Sequence, residues 1–121
     1  MDFAIITING QSIAEVTDNN AVVENVQEAA ELLMNCIYQG TNRIILSESN
    51  LPPGFFDLKT KIAGGMLQKF STYQGYLAII GDFTKYSGKS LKDFIYESNK
   101  TGRVSFVSSR DEALEALLRV K

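Results

Sequence analysis

Three carboxylates stand in loop-forming surroundings: Glu48 in Ser47-Glu48-Ser49-Asn50, Asp57 after Phe55-Phe56, and Asp82 in Gly81-Asp82-Phe83. If Glu48 and Asp82 converge, with Asp57 beside them, repulsion raises one pKa. Either an acid/base pair or a divalent-cation site results. The plainer alternative is that Asp82 caps a turn and Glu48 is solvated. Ser87-Gly88-Lys89-Ser90 matches the end of a phosphate-binding P-loop, but the glycine required five residues before Gly88 is replaced by Phe83. The pattern therefore argues against a Walker-type nucleotide site. Lys85, Lys89 and Lys92 near a helix start at Ser90 could still attract an anion, or simply be solvated.

The chain contains no histidine and one cysteine, Cys36. This removes the commonest general base and every Ser-His or Cys-His nucleophile, and leaves no disulfide or thiolate cluster. Cys36 reads as a small buried hydrophobe on a helix. No cofactor and no metal are expected, and catalysis would have to run on carboxylates, lysines, tyrosines or Thr60.

Two further features point to recognition. Pro52-Pro53-Gly54-Phe55-Phe56 places two aromatics in one short loop. One can cover the core while the other stays outward as a partner anchor, or both can fold under. Gly64-Gly65 lies within a helical pattern, where each glycine costs about 0.5–1 kcal/mol relative to alanine. Close packing of that helix on a sheet, or approach of a partner, would account for the pair.

The composition bounds the setting for these groups. A chain of 121 residues, 45% apolar, builds a single domain at 1–121 with one modest core. No apolar run is long enough to span a bilayer. Asp2 and the lack of a basic start argue against a secretory signal at Met1–Ile8, so a cytoplasmic location is expected. A net charge of −2 gives no bulk attraction to nucleic acid. The charges are uneven: residues 1–56 carry seven acids and one base, and residues 57–103 carry eight bases and four acids. Two electrostatic faces, or chance scatter in a short chain, would give this distribution.

Periodicity supplies the elements. Phe3 to Ile8 and Gln11 to Val16 flank Asn9-Gly10, the strongest short hairpin signal. Asn25 with Glu28 opens a helix carrying Val26, Ala29, Ala30, Leu33 and Ile37, closed by Gly40. Arg43–Ser47 and Tyr76–Ile80 are continuous apolar runs suited to buried parallel strands. A second helix is expected from Asp57 to Tyr73 on the stripe Leu58, Ile62, Met66, Phe70 and Tyr73. Ser90 with Asp93 should cap a third helix through about Ser98. Arg103–Val107 reads as an alternating strand at a sheet edge, and Ser109 with Glu112 caps a final helix. The order ββαβαβαβα predicts an α/β fold with a mixed, mostly parallel sheet and helices on its faces.

The segments VQEAAELLMNCIYQG, FFDLKTKIAGGMLQKFSTY and GDFTKYSGKSLKDFIYESNK make the chain similar, over nearly its full length, to the uncharacterised bacterial domain-of-unknown-function family 4180. That resemblance implies no activity. More distantly, RIILSESNLPPGFFDLKTKIAGGML, YLAIIGDF and FVSSRDEALEAL resemble the STAS module of bacterial anti-sigma-factor antagonists. This resemblance implies a STAS-like sheet. It also implies a phosphorylatable serine directly after an aspartate at the second helix; Asp57 aligns there, but Leu58 and Lys59 follow, and Thr60 is the nearest hydroxyl.

The preferred reading is a non-enzymatic regulatory or protein-interaction module that docks an unknown protein partner through Phe55, Phe56, Asp57, Lys59 and Thr60. The alternative is a small-molecule domain for a lipid or anionic metabolite, with Glu48, Gly81, Asp82 and Phe83 lining its pocket. A homodimer is compatible with either.

Overall fold

The computed structural model describes residues 1–120. Its elements run β1 (Phe3–Ile8), β2 (Gln11–Val16), α1 (Val26–Tyr38), β3 (Arg43–Ser47), α2 (Ile62–Thr72), β4 (Tyr76–Ile80), α3 (Lys89–Thr101), β5 (Val104–Val107) and α4 (Arg110–Arg119). This is the expected ββαβαβαβα order. The strands form one sheet in the order β1-β2-β3-β4-β5, antiparallel only between β1 and β2. Asn9 and Gly10 both have positive φ, +54° and +79°, so the hairpin turn is type I′.

Alternation along the strands assigns the two faces. Ile44, Leu46, Leu77 and Ile79 share a core with Leu33 and Cys36 of α1 and with Met66 and Phe70 of α2, and Phe94 and Ile95 of α3 pack against it. Ile13, Ile45 and Ala78 point the other way, onto Ala113 and Leu117 of α4. Helices α1, α2 and α3 thus cover one face and α4 covers the other. Two arginines fix α4 at its ends. Arg110 makes a bidentate contact with Glu15 of β2 (2.7 and 3.1 Å), and Arg43 of β3 donates to the Leu117 and Val120 carbonyls (3.0 and 3.1 Å).

Local capping chemistry is mostly as read. The Asn25 side chain accepts from the Glu28 N–H, and Ser109 accepts from the Glu112 N–H. In each case the glutamate reaches back one residue beyond the cap, to Glu24 and to Ser108. Two boundaries differ from expectation. The second helix does not run unbroken from Asp57: a 3-10 turn at Leu58–Thr60 ends at Lys61, whose φ of +64° breaks the path before α2 begins. The third helix is not capped by Ser90. It starts after Gly88, Asp93 pairs with Lys89 instead (2.8 Å), and the helix runs on to Thr101. Strand β5 lies at the sheet edge but is buried along most of its length rather than alternating.

The paired glycines of α2 divide in role. A Cβ on Gly65 would meet Val26 Cγ2 at 3.0 Å, so this glycine admits the start of α1, not the sheet. A Cβ on Gly64 would meet nothing within 4 Å. Gly64→Ala should therefore raise stability by about 0.5–1 kcal/mol in urea titration, while Gly65→Ala gains less or loses. Equal gains at both positions would contradict this packing.

Candidate functional site

Successive strands β4 and β5 send their following helices to opposite faces of the sheet. Where connections from neighbouring parallel strands diverge, a crevice opens outside their carboxyl ends. A cleft of about 700 Å³ occupies that place. The β4–α3 loop contributes Gly81, Asp82, Phe83 and Thr84, and α3 contributes Lys92, Ile95, Tyr96 and Asn99. Strand β5 and the start of α4 add Phe106, Val107, Ser108 and Glu112. Its floor is apolar. Phe83 stands edge-on to Phe106 at 5.2 Å between centroids, with Ile95 beside them.

The charged groups around the cleft are unequally committed. Hydrogen bonds from the Thr84 hydroxyl (2.6 Å) and N–H (3.1 Å) hold the Asp82 carboxyl below the usual carboxylate range. Ser108 does the same for Glu112 through its Oγ and N–H, both at 2.7 Å. Lys92 is exposed and pairs with no carboxylate among the described residues. Asn99 is bound on its inner side: it accepts from the Phe106 N–H at 2.6 Å and donates to the Phe106 carbonyl at 3.3 Å.

Of the residues read as a pocket, Gly81, Asp82 and Phe83 line this cleft, and Glu48 lies behind it. The expected repulsion between the Glu48 and Asp82 carboxylates does not occur, because Asp82 turns to Thr84. Glu48 receives Lys85 Nζ at 2.7 Å and the Tyr86 hydroxyl at 2.6 Å. Burial pushes its pKa up, but Lys85, Tyr86 and the Asp82 backbone N–H outweigh burial and hold it below the ordinary value. Gly81 makes this seat available, since a Cβ there would lie 2.7 Å from Glu48 Oε1. Burial and the Glu48 partner together push Tyr86 up to about 12, so it stays a donor at neutral pH. Asp57 is elsewhere, accepting from the Lys59 N–H at 3.1 Å, so no acidic cluster forms from the three.

The partner-docking residues also separate. Phe55 is only 3% exposed and packs in the core, which removes it from any outward anchor. Phe56 is half-buried and stacks on Tyr86 (4.3 Å, 18°), so both aromatics fold inward. Asp57, Lys59 and Thr60 remain exposed, with the Thr60 hydroxyl 2.8 Å from the Gly54 and Asp57 carbonyls. Burial pushes the Cys36 thiol up to about 11, as suits a core residue. No helix among the described residues is long and apolar enough to cross a membrane.

The sequence marks Lys92 as an anion-attracting lysine near a helix start and Glu112 as a capping residue, but it places neither in a pocket with Gly81, Asp82 and Phe83, and Tyr96 and Asn99 were missed. Lys92, Tyr96 and Asn99 form a stripe at i, i+4, i+7 of α3 beside apolar Ile95, which alone reads as a solvated face.

The fold and cleft define a mixed, mostly parallel α/β domain with a crevice at one sheet edge. The chain belongs to the family described as Domain of unknown function (DUF4180), whose model matches residues 8–117. No curated protein sequence matches it. Among solved structures it is similar to a proposed anti-sigma factor antagonist from Thermotoga maritima, at 15% identity and a TM-score of 0.44, over 97% of this chain and 95% of that one.

The Glu48 cluster predicts a pH dependence. Its folded pKa lies below its unfolded value. Its stabilisation is therefore full above the unfolded pKa and is lost as pH falls through the folded one. Glu48→Gln should lower stability at neutral pH and flatten the acid limb of the stability–pH profile, measured by urea unfolding. An acid limb as steep as in the wild type would contradict the assignment.

Proposed function

We propose that this domain is a non-enzymatic regulatory module that binds a small molecule in the cleft between α3 and α4. The ligand class that fits is an apolar or aromatic body bearing one acidic group. The observation that carries this reading is the pairing of an apolar floor, Phe83, Ile95 and Phe106, with a single uncommitted cation, Lys92. Binding sites for small molecules are typically concave and mostly apolar, with a few placed polar groups. The volume of about 700 Å³ lies within their usual range.

The electrostatics favour binding over catalysis. A general acid or base works best with a pKa near the operating pH. Asp82 and Glu112, the two carboxyls at the cleft, are both shifted the other way by hydrogen bonds. Glu112 also occupies the start of α4, where an anionic ligand would otherwise be drawn. The acidic group of a ligand is thereby directed to the α3 side, towards Lys92. Protein docking at 55–60 would have to rest on Asp57, Lys59 and Thr60, without the buried Phe55.

Aromatic and medium-chain carboxylic acids should raise the melting temperature in a thermal-shift panel, and their neutral amides should do so less. Lys92→Met should weaken the acids by about tenfold, equivalent to ~1.4 kcal/mol, and leave the amides unchanged. A panel without any shift, or equal loss for acids and amides, would overturn the reading.

A further inference from the structure

The two edges of the sheet are treated differently. At β5 the strand is four residues long, and the outward N–H and carbonyl of Phe106 are already taken by the Asn99 side chain. At β1 the edge is six residues, FAIITI, with no charge and no proline. Natural edge strands are normally protected by lysines, prolines, bulges or a covering segment. Strand β1 carries none of the first three, and Ala4, Ile5 and Thr7 are exposed.

The hairpin fixes which backbone groups face outward. A two-residue turn closes on a hydrogen-bonded pair, here Ile8 with Gln11. Ile8, Ile6 and Ala4 therefore bond to β2, and Phe3, Ile5 and Thr7 present their N–H and carbonyl groups to the open edge. The opposite side of β2 agrees with this phase, since the Ser12 carbonyl accepts from Thr41 Oγ1 at 2.6 Å beside β3.

We propose that β1 pairs antiparallel with β1 of a second copy, about a two-fold axis at Ile5, making a continuous ten-stranded sheet. This register alone pairs all three outward residues on both strands. Ile5 faces Ile5 of the partner subunit, and Phe3 faces Thr7 of the partner subunit. Six backbone hydrogen bonds form. The strand suits a copy of itself because it bears no charge to be set against its equal, and like charges directly opposite destabilise a pair. The side chains at the axis are complementary in kind: Ile5 is 38% exposed in the single chain and meets another isoleucine. The contact is isologous and uses up the only open sheet edge among the described residues, so assembly stops at two copies, with Asn99 preventing growth at β5.

Light-scattering mass measurement on the whole chain should give twice 13.4 kDa. Ile5→Lys, which sets two ammonium groups across the axis at an already part-exposed position, should give a folded monomer by circular dichroism. Disulfide trapping tests the register independently of that variant's folding. In a hydrogen-bonded antiparallel pair the Cα atoms are about 5.5 Å apart, within disulfide range. Ile5→Cys should therefore cross-link under mild oxidation. Thr7→Cys should not, because the two copies of position 7 are separated by four residues along the strand. Cys36 is buried and does not interfere. A wild-type mass of one chain, or equal trapping at positions 5 and 7, would overturn the proposal.

Discussion

The handedness of strand–helix–strand crossovers constrains this molecule more than any single contact. Parallel strands joined in succession, each placed beside the last in the same direction, send every right-handed crossover to the same face. Helices α1, α2 and α3 obey this, and their apolar sides merge into one core. Among the described residues no strand follows β5, and α4 covers the opposite face. The cleft follows from that change of face. It opens at the one place where neighbouring helices, α3 and α4, part around a strand end.

The cleft wall is held from behind. Glu48 joins the end of β3 to Lys85 and Tyr86 of the loop after β4, and Phe56 stacks on the same tyrosine. An aromatic stack of this kind adds about 0.5–1.5 kcal/mol beyond buried area. Segments at 48, 56 and 82–86 are thus mechanically one unit, although they are far apart in the chain. The loop that carries Phe83 is placed by contacts on its far side, leaving its near side clear.

Features governed by local chemistry were legible in the sequence. Asn9-Gly10 specified its turn, and Asn25 and Ser109 specified helix starts, because each acts on backbone groups within three residues. The strand runs RIILS and YLAII declared their two-sided burial through continuous apolar character. The break at Lys61 was hidden because Leu58 continues the stripe of Ile62, Met66 and Phe70, and nothing marks a lysine for positive φ. Ser90 failed as a cap because Lys89, one residue earlier, already belongs to the helix and claims Asp93. The site was legible in its loop, Gly81-Asp82-Phe83, and in the anion-attracting character of Lys92, but not as one pocket. Lys92, Tyr96 and Glu112 become its walls only once two helices are known to straddle β5, which is tertiary information. The Glu48–Tyr86 contact spans 38 residues and leaves no periodic trace.

The agreement between order along the chain and order across the sheet bears on how the polypeptide can mature during synthesis. No strand has to wait for a later one to be inserted between it and its neighbour, as interleaved sheets require. The hairpin can form as soon as it clears the ribosome, and each strand–helix unit then adds to a single growing edge. The first face is roofed progressively by α1, α2 and α3. The second face, with Ile13, Ile45 and Ala78, stays bare until α4 emerges. The nascent chain therefore carries an apolar surface from the pairing of β2 with β3 until one ten-residue helix closes it.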